Sequence, residues 1–475
     1  MLNPHYAKIE ANRRHSTSSG ERYVDGARYE ELRTTPALAR LSMVEISQPR
    51  SPISPISKLR DIQKKACSDY KNHLEQITAL ERSGNLPEKR GEWSGIGQRY
   101  DVRFTSLSTE IQGQLKCGVK LGEGGFGSVH KVICHRIPLA DKSIKVERRA
   151  LERIKLESKH AARLAGNNHF ARLVGTYLEG DLGTQTFHIL SYPVANMDLS
   201  TFLDECEHLG KLNANRMPTS GNLDKVNMVL EQLAIAAAVD MPGPQEMRSS
   251  VVPPTFRNFL KKMMGCLAAA IDWMHSHKIS HLDLKPQNIL VHNGTMFVTD
   301  FGVSRDRSEA QSSWTQYLPA GTPTWSPPEL QVAKLGELNA PFKVDVYELG
   351  LIYLHMITVA YGRKTRTECG IIHWNYQNRE TNLKAHFQLS RWNSFRARFT
   401  WQPDSASWPP QGIVELIRLM LNHDPKLRPS SKDAKGLLLA MGGKESIYHG
   451  KCCYRAYKED DITPELRKKM KHYLK

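Results

Sequence analysis

Apolar positions divide the chain into stretches of different period. Residues 1–55 are rich in Ser, Thr, Arg and Pro and hold no sustained apolar repeat. Such a stretch buries too little surface to offset its chain entropy and reads as a disordered tail. Within it, Ser51-Pro52 and Ser54-Pro55 are candidates for proline-directed phosphorylation, although Ser-Pro is also ordinary turn chemistry. From Ile56 to Glu81, Leu59, Ile62, Ala66, Tyr70, Leu74, Ile77 and Leu80 recur every three or four residues. That spacing predicts an amphipathic helix over 56–82. The stripe is short and imperfect, so packing on the body of the protein is expected rather than a coiled-coil dimer. A linker over 83–111 follows. From about Gln112 come short strand-like runs (QLKCGVKL, SVHKVI, KSIKV, ARLVGTYL, TFHILSY), and long helical patterns dominate from Phe256. The order predicts an α+β fold, a small sheet-rich lobe followed by a larger helical one. Residues 205–255, broken by Asn, Gly and Met-Pro-Gly-Pro, read as an insertion that holds one helix, Leu223 to Val239.

Composition narrows the picture. The 475 residues are 40% hydrophobic and 24% charged, ordinary for a globular chain, which excludes fibrous and wholly disordered classes. The formal charge of +17 is uneven: residues 361–475 carry 22 basic and 11 acidic side chains, so +11 sits in the last quarter. This end suits an acidic partner, and a solvated basic surface is the plainer explanation. With no aromatic stacking platform or groove-reading motif, nucleic acid is an unfavoured partner. The eight cysteines match neither a zinc spacing nor a secreted disulfide framework. Nothing near Met1 resembles a secretory leader, and the longest apolar run, Leu349 to Tyr361, is too short to span a bilayer. A soluble protein of a reducing compartment, cytoplasmic or nuclear, is expected, RKKMK near the end being a weak nuclear address.

The chemistry lies in four places. LGEGGFGSVHKV (121–132) sets Gly122, Gly124 and Gly127 between two strand-like runs, a hairpin whose backbone N–H groups can close over phosphate oxygens. A dinucleotide fold would need a helix to begin within those glycines. Lys145 in KSIKV, if turned inward, needs an anionic partner. Glu157 is the candidate and Glu152 the competing choice; a surface lysine among Arg148, Arg149 and Arg153 is the alternative. SHLDLKPQNILV then places Asp283, Lys285 and Asn288 within six positions, and TDFGVSR brings Asp300. Phosphoryl transfer from ATP calls for such a set: oxygen donors for Mg²⁺ (Asn288, Asp300), a carboxylate to take a hydroxyl proton (Asp283) and a cation beside the moving group (Lys285).

In this motif order the sequence resembles the eukaryotic protein kinase family over residues 112–441. GEGGFGSV is similar to the glycine-rich loop, KSIKV to the strand that carries the ATP lysine, HLDLKPQN to the catalytic loop and DFG to the metal-binding triplet. GTPTWSPPEL (321–330) resembles the substrate-docking segment, with Pro327 in place of alanine. The resemblance implies a two-lobed protein kinase fold: a small lobe over 112–192, a helical core over 256–441, and a basic extension over 442–475. It implies ATP and Mg as cofactors and protein substrates with Ser/Thr acceptors, since Lys285 and Thr322 resemble the serine/threonine branch. ATP is expected against Leu121, Gly122, Gly124, Gly127, Val129, Lys145 and Leu290, with Leu190, Ser191 and Tyr192 as the hinge. The resemblance also implies a buried ion pair between Glu329 and Arg428.

Three departures carry expectations. Leu282 stands where the family has an arginine that grips an activation-segment phosphate, so activity is expected without phosphorylation at Ser308, Ser312, Ser313, Thr315 or Thr322. Ala161 replaces a larger residue on the Glu157 helix, which leaves that helix free to sit outward until the 56–81 helix packs on it. Ser143 replaces the alanine beside the ATP lysine, with a mild effect expected. The alternative function is an ATP-binding signalling scaffold that acts through its tails and insertion.

Overall fold

The computed structural model describes residues 68–69, 71–79, 115–124, 127–134, 136–146, 151–179, 185–211, 254–306, 322, 325–332, 341–360, 410–443, 447–450, 452–453, 455 and 457–474. The tail with Ser51 and Ser54, the 83–111 linker, the Leu223–Val239 helix and Ser308, Ser312, Ser313 and Thr315 lie outside the described residues.

The small lobe is an antiparallel sheet of β1 (Leu115–Gly124), β2 (Gly127–Cys134), β3 (Ile137–Lys145), β4 (Arg172–Glu179) and β5 (Thr186–Tyr192), in the order β1-β2-β3-β5-β4. Alternation along β3 sorts its side chains between two faces. Ile144 joins the inner core with Phe187 and Ile189 of β5 and with Ile154, Ala161 and Leu164 of helix α2 (Leu151–Leu164). Ile137 and Leu139 join the outer face with Val132, Cys134, Val174, Tyr177, Leu190 and Tyr192.

That outer face is covered by helix α1 (71–79), which with helical residues 68–69 is the described part of the expected 56–82 helix. Ile77 is wholly buried in the outer cluster, Leu74 packs beside it, and His73 Nδ1 lies 3.1 Å from the Tyr192 hydroxyl. Packing on the body of the protein is therefore seen, but on the sheet and not on α2 as proposed from Ala161. Nor does α2 sit outward. Ala161 is buried, and Phe170, in the same cluster, lies against Phe301 with ring centroids 6.0 Å apart.

β6 (Met197–Asp198) leads into α3 (Leu199–Lys211), whose Phe202, Leu203 and Cys206 enter the large core. The core thus continues past residue 205, where an insertion was expected to begin. The helical lobe follows with α4 (Pro254–Ser276), β7 (Ile279–Ser280), β8 (Ile289–His292), β9 (Thr295–Val298) and β10 (Arg305–Asp306). It continues through α5 (Glu329–Val332), α6 (Pro341–Ala360), α7 (Gln411–Met420), α8 (Ser431–Gly442) and α9 (Pro464–Met470). α6 is apolar on almost every side and lies buried among the others, as such a sequence requires. α8 begins with a capping box in which Ser430 and Asp433 satisfy each other's backbone N–H groups. The segment expected as a basic extension contributes Tyr448, Ile462 and Met470 to the same core. No helix among the described residues is long and apolar enough to cross a membrane.

Candidate active site

Two charged corners are joined where Thr299 N, next to Asp300, donates to Asn288 O at 3.0 Å. In the first, the ammonium that meets Glu157 belongs to Lys142, not Lys145. Lys142 Nζ donates to Glu157 Oε1 at 2.6 Å and to Asp300 Oδ1 at 2.8 Å. The regular ladder of β3 with β5 pairs Lys142 with Ile189 and Lys145 with Thr186, so three residues of strand put the two lysines on opposite faces. Lys145 is exposed at the strand end. The alanine of this strand is accordingly Ala140, and Ser143, whose Oγ lies 2.9 Å from Ser128 Oγ, is on the other face. Burial opposes the charge on Lys142, yet the Glu157 and Asp300 carboxylates outweigh it and hold the ammonium above its usual range. Burial alone would raise the Asp300 carboxyl; Lys142 beside it holds it below the ordinary value.

The second corner is the loop between β7 and β8. The Asp283 carboxylate accepts four hydrogen bonds through its two oxygens. Oδ1 takes the Thr322 N–H and hydroxyl, both at 2.9 Å, and Oδ2 takes Lys285 Nζ at 2.8 Å and Asn288 Nδ2 at 3.2 Å. Lys285 also donates to Thr322 Oγ1 at 2.7 Å. Asn288 is fixed by a further bond from Nδ2 to Asp283 O at 2.8 Å, which leaves its Oδ1 without a partner among the described residues. Glu157, Asp283, Lys285, Asn288 and Asp300 are thus brought together as the motif spacing implied, with Lys142 completing the set.

The loop is held from below by α6. Asp345 accepts from the N–H groups of His281 and Leu282 at 2.9 and 2.8 Å and lies 2.8 Å from His275 Nε2. Glu348 accepts from Leu284 N at 2.8 Å. Burial, with Asp345 beside it, pushes the Glu348 carboxyl well above its usual range. Leu282 and Asp300 both adopt left-handed backbone, φ 67° and 65°, an unfavourable state for such residues that these bonds help maintain. The Leu282 side chain fills a small apolar cluster with Val303, Val344 and Leu330, so the expected arginine site is closed by hydrocarbon.

The remaining expected contacts lie around this frame. Gly122, Gly124 and Gly127 sit on the β1–β2 hairpin, where Gly122 pairs with Val129 and Gly124 with Gly127. At Gly127, φ is 138° and a Cβ would meet Ser143 O at 2.0 Å, so only glycine fits there. Val129 pairs directly with Lys142 and shares its face. Leu121 is exposed at the edge, and Leu290 is half-buried on β8. The hinge residues divide: Leu190 and Tyr192 turn into the outer cluster beneath α1, and Leu190 is laddered to both Asp141 and Gly175. Ser191 shares the cleft face with Ala140, its ladder partner. The chain leaves the sheet at Tyr192-Pro193, so the connector lies later than expected.

Lys142 was missed because its neighbour Asp141 makes LADK look unlike a buried strand. Asp141 is buried, and it is satisfied there: Tyr177 Oη donates to it at 3.1 Å, and His188 Nδ1 lies 3.0 Å away with its ring stacked on Tyr177. His188 Nε2 in turn meets Glu179 at 3.2 Å. A strand-wide count of partners, rather than residue type alone, would have exposed the register.

Residues 224–437 match the model of the protein kinase domain. The rat proto-oncogene serine/threonine-protein kinase mos is 29% identical over 320 residues, 65% of this chain and 79% of its own. The serine/threonine-protein kinase-transforming protein mos of a myeloproliferative sarcoma virus is 28% identical over 249 residues, 50% and 59% of the two chains. The serine/threonine-protein kinase stk11 homolog of Dictyostelium discoideum is 33% identical over 109 residues; the match covers 23% of this chain and 18% of that one. The chain therefore spans under two thirds of several of the relatives it matches.

Proposed function

Because the chain belongs to the eukaryotic protein kinase family, we propose that it transfers the γ-phosphoryl group of ATP to Ser/Thr hydroxyls of protein substrates. One observation carries the reading: the Asp283 cluster with Lys285, Asn288 and Thr322 is tied to the Lys142–Glu157–Asp300 triad where Thr299 N, beside Asp300, donates to Asn288 O at 3.0 Å. The donor set suits Mg²⁺, a hard cation that favours oxygen. Asp300 Oδ2 and Asn288 Oδ1 are the oxygens without a partner among the described residues. Bound Mg·ATP supplies the transferable phosphoryl group and neutralises charge on its oxygens.

Lys142 takes the place expected of Lys145. It holds the α and β phosphates, and Glu157 fixes its direction. The hairpin glycines offer backbone N–H groups to the phosphates. Asp283 Oδ1, exchanging the Thr322 hydroxyl for that of the substrate, orients the acceptor and takes its proton. Lys285, 2.8 Å from that carboxylate, sets positive charge beside the group in flight. A Ser/Thr acceptor is supported by the resemblance of Lys285 and Thr322 to the serine/threonine branch and by the serine/threonine-protein kinases among the relatives.

Transfer of labelled phosphate to a Ser/Thr-rich protein, followed by phosphoamino-acid analysis, tests this. Asp283→Asn should abolish transfer while ATP binding is retained. ATP binding without transfer in the wild type would favour the signalling scaffold instead.

A further inference from the structure

Far along the chain from the motifs, four metal-binding side chains converge. His169 lies between α2 and β4, Cys266 midway along α4, and Cys452 and Cys453 in the segment between α8 and α9. All four ligand atoms lie within 4.8 Å of one another. His169 Nε2 is 3.0 Å from Cys453 Sγ and 3.3 Å from Cys452 Sγ, and Cys266 Sγ is 3.7 Å from Cys452 Sγ. We propose that His169, Cys266, Cys452 and Cys453 form a tetrahedral Cys₃His site for a structural Zn²⁺ ion.

The Cys266–Cys452 separation matches a zinc tetrahedron, and the other ligand separations lie within about 1 Å of one. With Zn–S about 2.3 Å and Zn–N about 2.0–2.1 Å, a tetrahedron has edges of about 3.8 Å between sulfurs and about 3.5 Å between sulfur and nitrogen. A sulfur pair 3.7 Å apart is far from the roughly 2.05 Å of a disulfide. The histidine is prepared as well. Its Nδ1 is 2.9 Å from Met296 O, and a carbonyl can only accept, so the proton sits on Nδ1 and the Nε2 lone pair points at the thiols. A backbone carbonyl that orients a histidine from behind is the usual support of a zinc ligand.

The surrounding backbone is shaped to the sulfurs. Gly450 N donates to Cys266 Sγ at 3.3 Å, as a thiolate would invite. A Cβ at Gly450 would come within 3.1 Å of Cys266 Sγ and 3.2 Å of Cys452 Sγ, so a side chain there would crowd two ligands. Gly265 N donates to Tyr448 O at 2.8 Å and brings α4 against this segment. His169 and Cys266 are buried, Cys453 is half-buried and Cys452 is exposed, which gives an ion a path from solvent. Four protein ligands leave no open position, the mark of a structural rather than a catalytic zinc. Soft thiolates with one imidazole select zinc over magnesium or calcium.

Binding converts three thiols to thiolates and releases their protons to solvent, with no change of oxidation state. The ion would tie three segments that no short loop connects: the turn before β4, the middle of α4, and the chain beyond α8. The first of these carries Phe170 onto Phe301, so the tie reaches the floor of the small lobe without touching the phosphate-transfer residues.

The test uses the full chain, with any affinity tag removed, purified in reducing buffer and desalted. Elemental analysis should find one zinc per chain. The double variant Cys452→Ser, Cys453→Ser should hold less than about a tenth of that. Cobalt(II) exchanged into wild type should show the visible bands of tetrahedral cobalt and a thiolate charge-transfer band in the near ultraviolet, both absent from the double variant. Chelation should lower the thermal midpoint of wild type by on the order of 5–10 °C, and added Zn²⁺ should restore it. Should the double variant not fold, the zinc content and cobalt spectrum of wild type decide alone. Zinc-free wild type that takes up no added Zn²⁺, a folded double variant with full zinc, or a Cys266–Cys452 disulfide in unreduced peptides would each overturn the proposal.

Discussion

Exchange of Lys142 for methionine discriminates between two adjacent readings of β3. Methionine keeps the length and the apolar stem and removes only the ammonium. In the structure that ammonium sits between Glu157 and Asp300, with the lysine side chain 19% exposed and the two carboxylates 8% and 25%. Removal of one partner from a buried pair costs about 3–5 kcal/mol, because the other charge is left uncompensated. Partial exposure of Asp300 argues for the lower end of that range. The catalytic loss is separate. A preorganised cation aimed at transferring charge is worth a factor of about 10²–10³ in rate, or roughly 2.7–4 kcal/mol. Steady-state kcat/KM for ATP should therefore fall by about that factor in Lys142→Met. Lys145→Met, at an exposed strand end on the other face, should stay within about twofold of wild type. Thermal unfolding run beside the kinetics separates lost fold from lost chemistry. An inactive Lys145→Met with an active Lys142→Met would refute the placement of the nucleotide lysine and the β3 register with it.

Other expectations follow from the same structure. Phosphatase treatment should leave activity unchanged, because Leu282 with Val303, Val344 and Leu330 offers a phosphate no cation; a large loss would contradict this. Leu282→Arg should destabilise the fold by about 3–5 kcal/mol in chemical denaturation, through an unpaired buried charge. The Arg428 guanidinium, fully buried, meets both Glu329 oxygens at 2.6 and 2.7 Å and lies over Tyr347. Arg428→Ala should thus cost about 3–5 kcal/mol by denaturant titration, and a cost under about 1 kcal/mol would sink that view. Burial holds His160 and His292 at about 4, below the roughly 6.5 of an unfolded histidine. The unfolded chain then binds more protons, so their contribution is complete above about pH 6.5 and is lost as pH falls toward about 4. The slope is up to about 1.4 kcal/mol per pH unit for each. His160→Asn should flatten the curve across that window; an unchanged slope would exclude His160 as a source.

Legibility in the sequence followed locality. Asp283, Lys285, Asn288 and Asp300 are set by short loops, so their spacing alone announces a shared site, and the loops place them together. The lysine that meets Glu157 is set by strand pairing, which a sequence does not display. KSIK carries a familiar outline, while LADK hides the pairing residue behind a buried aspartate whose Tyr177 and His188 partners lie on other strands. The family-model match begins at residue 224, after the whole small sheet, in keeping with that divergence. The amphipathic stripe around Ile77 was readable as a helix but not its landing place, since apolar faces are non-specific. The ligand set at His169 was invisible because its members are drawn from three remote segments and share no spacing rule.

The docking of α1 bears on where this polypeptide can be cut. Ile77 and Leu74 are the lid of a hydrophobic surface made by Val132, Leu139, Val174, Leu190 and others. A fragment trimmed to begin at the first strand, at Leu115, would bare that surface to water. Such patches drive self-association rather than reveal a working minimal enzyme. The leading segment thus behaves as a built-in solubility partner, and a boundary drawn from family resemblance alone would discard it.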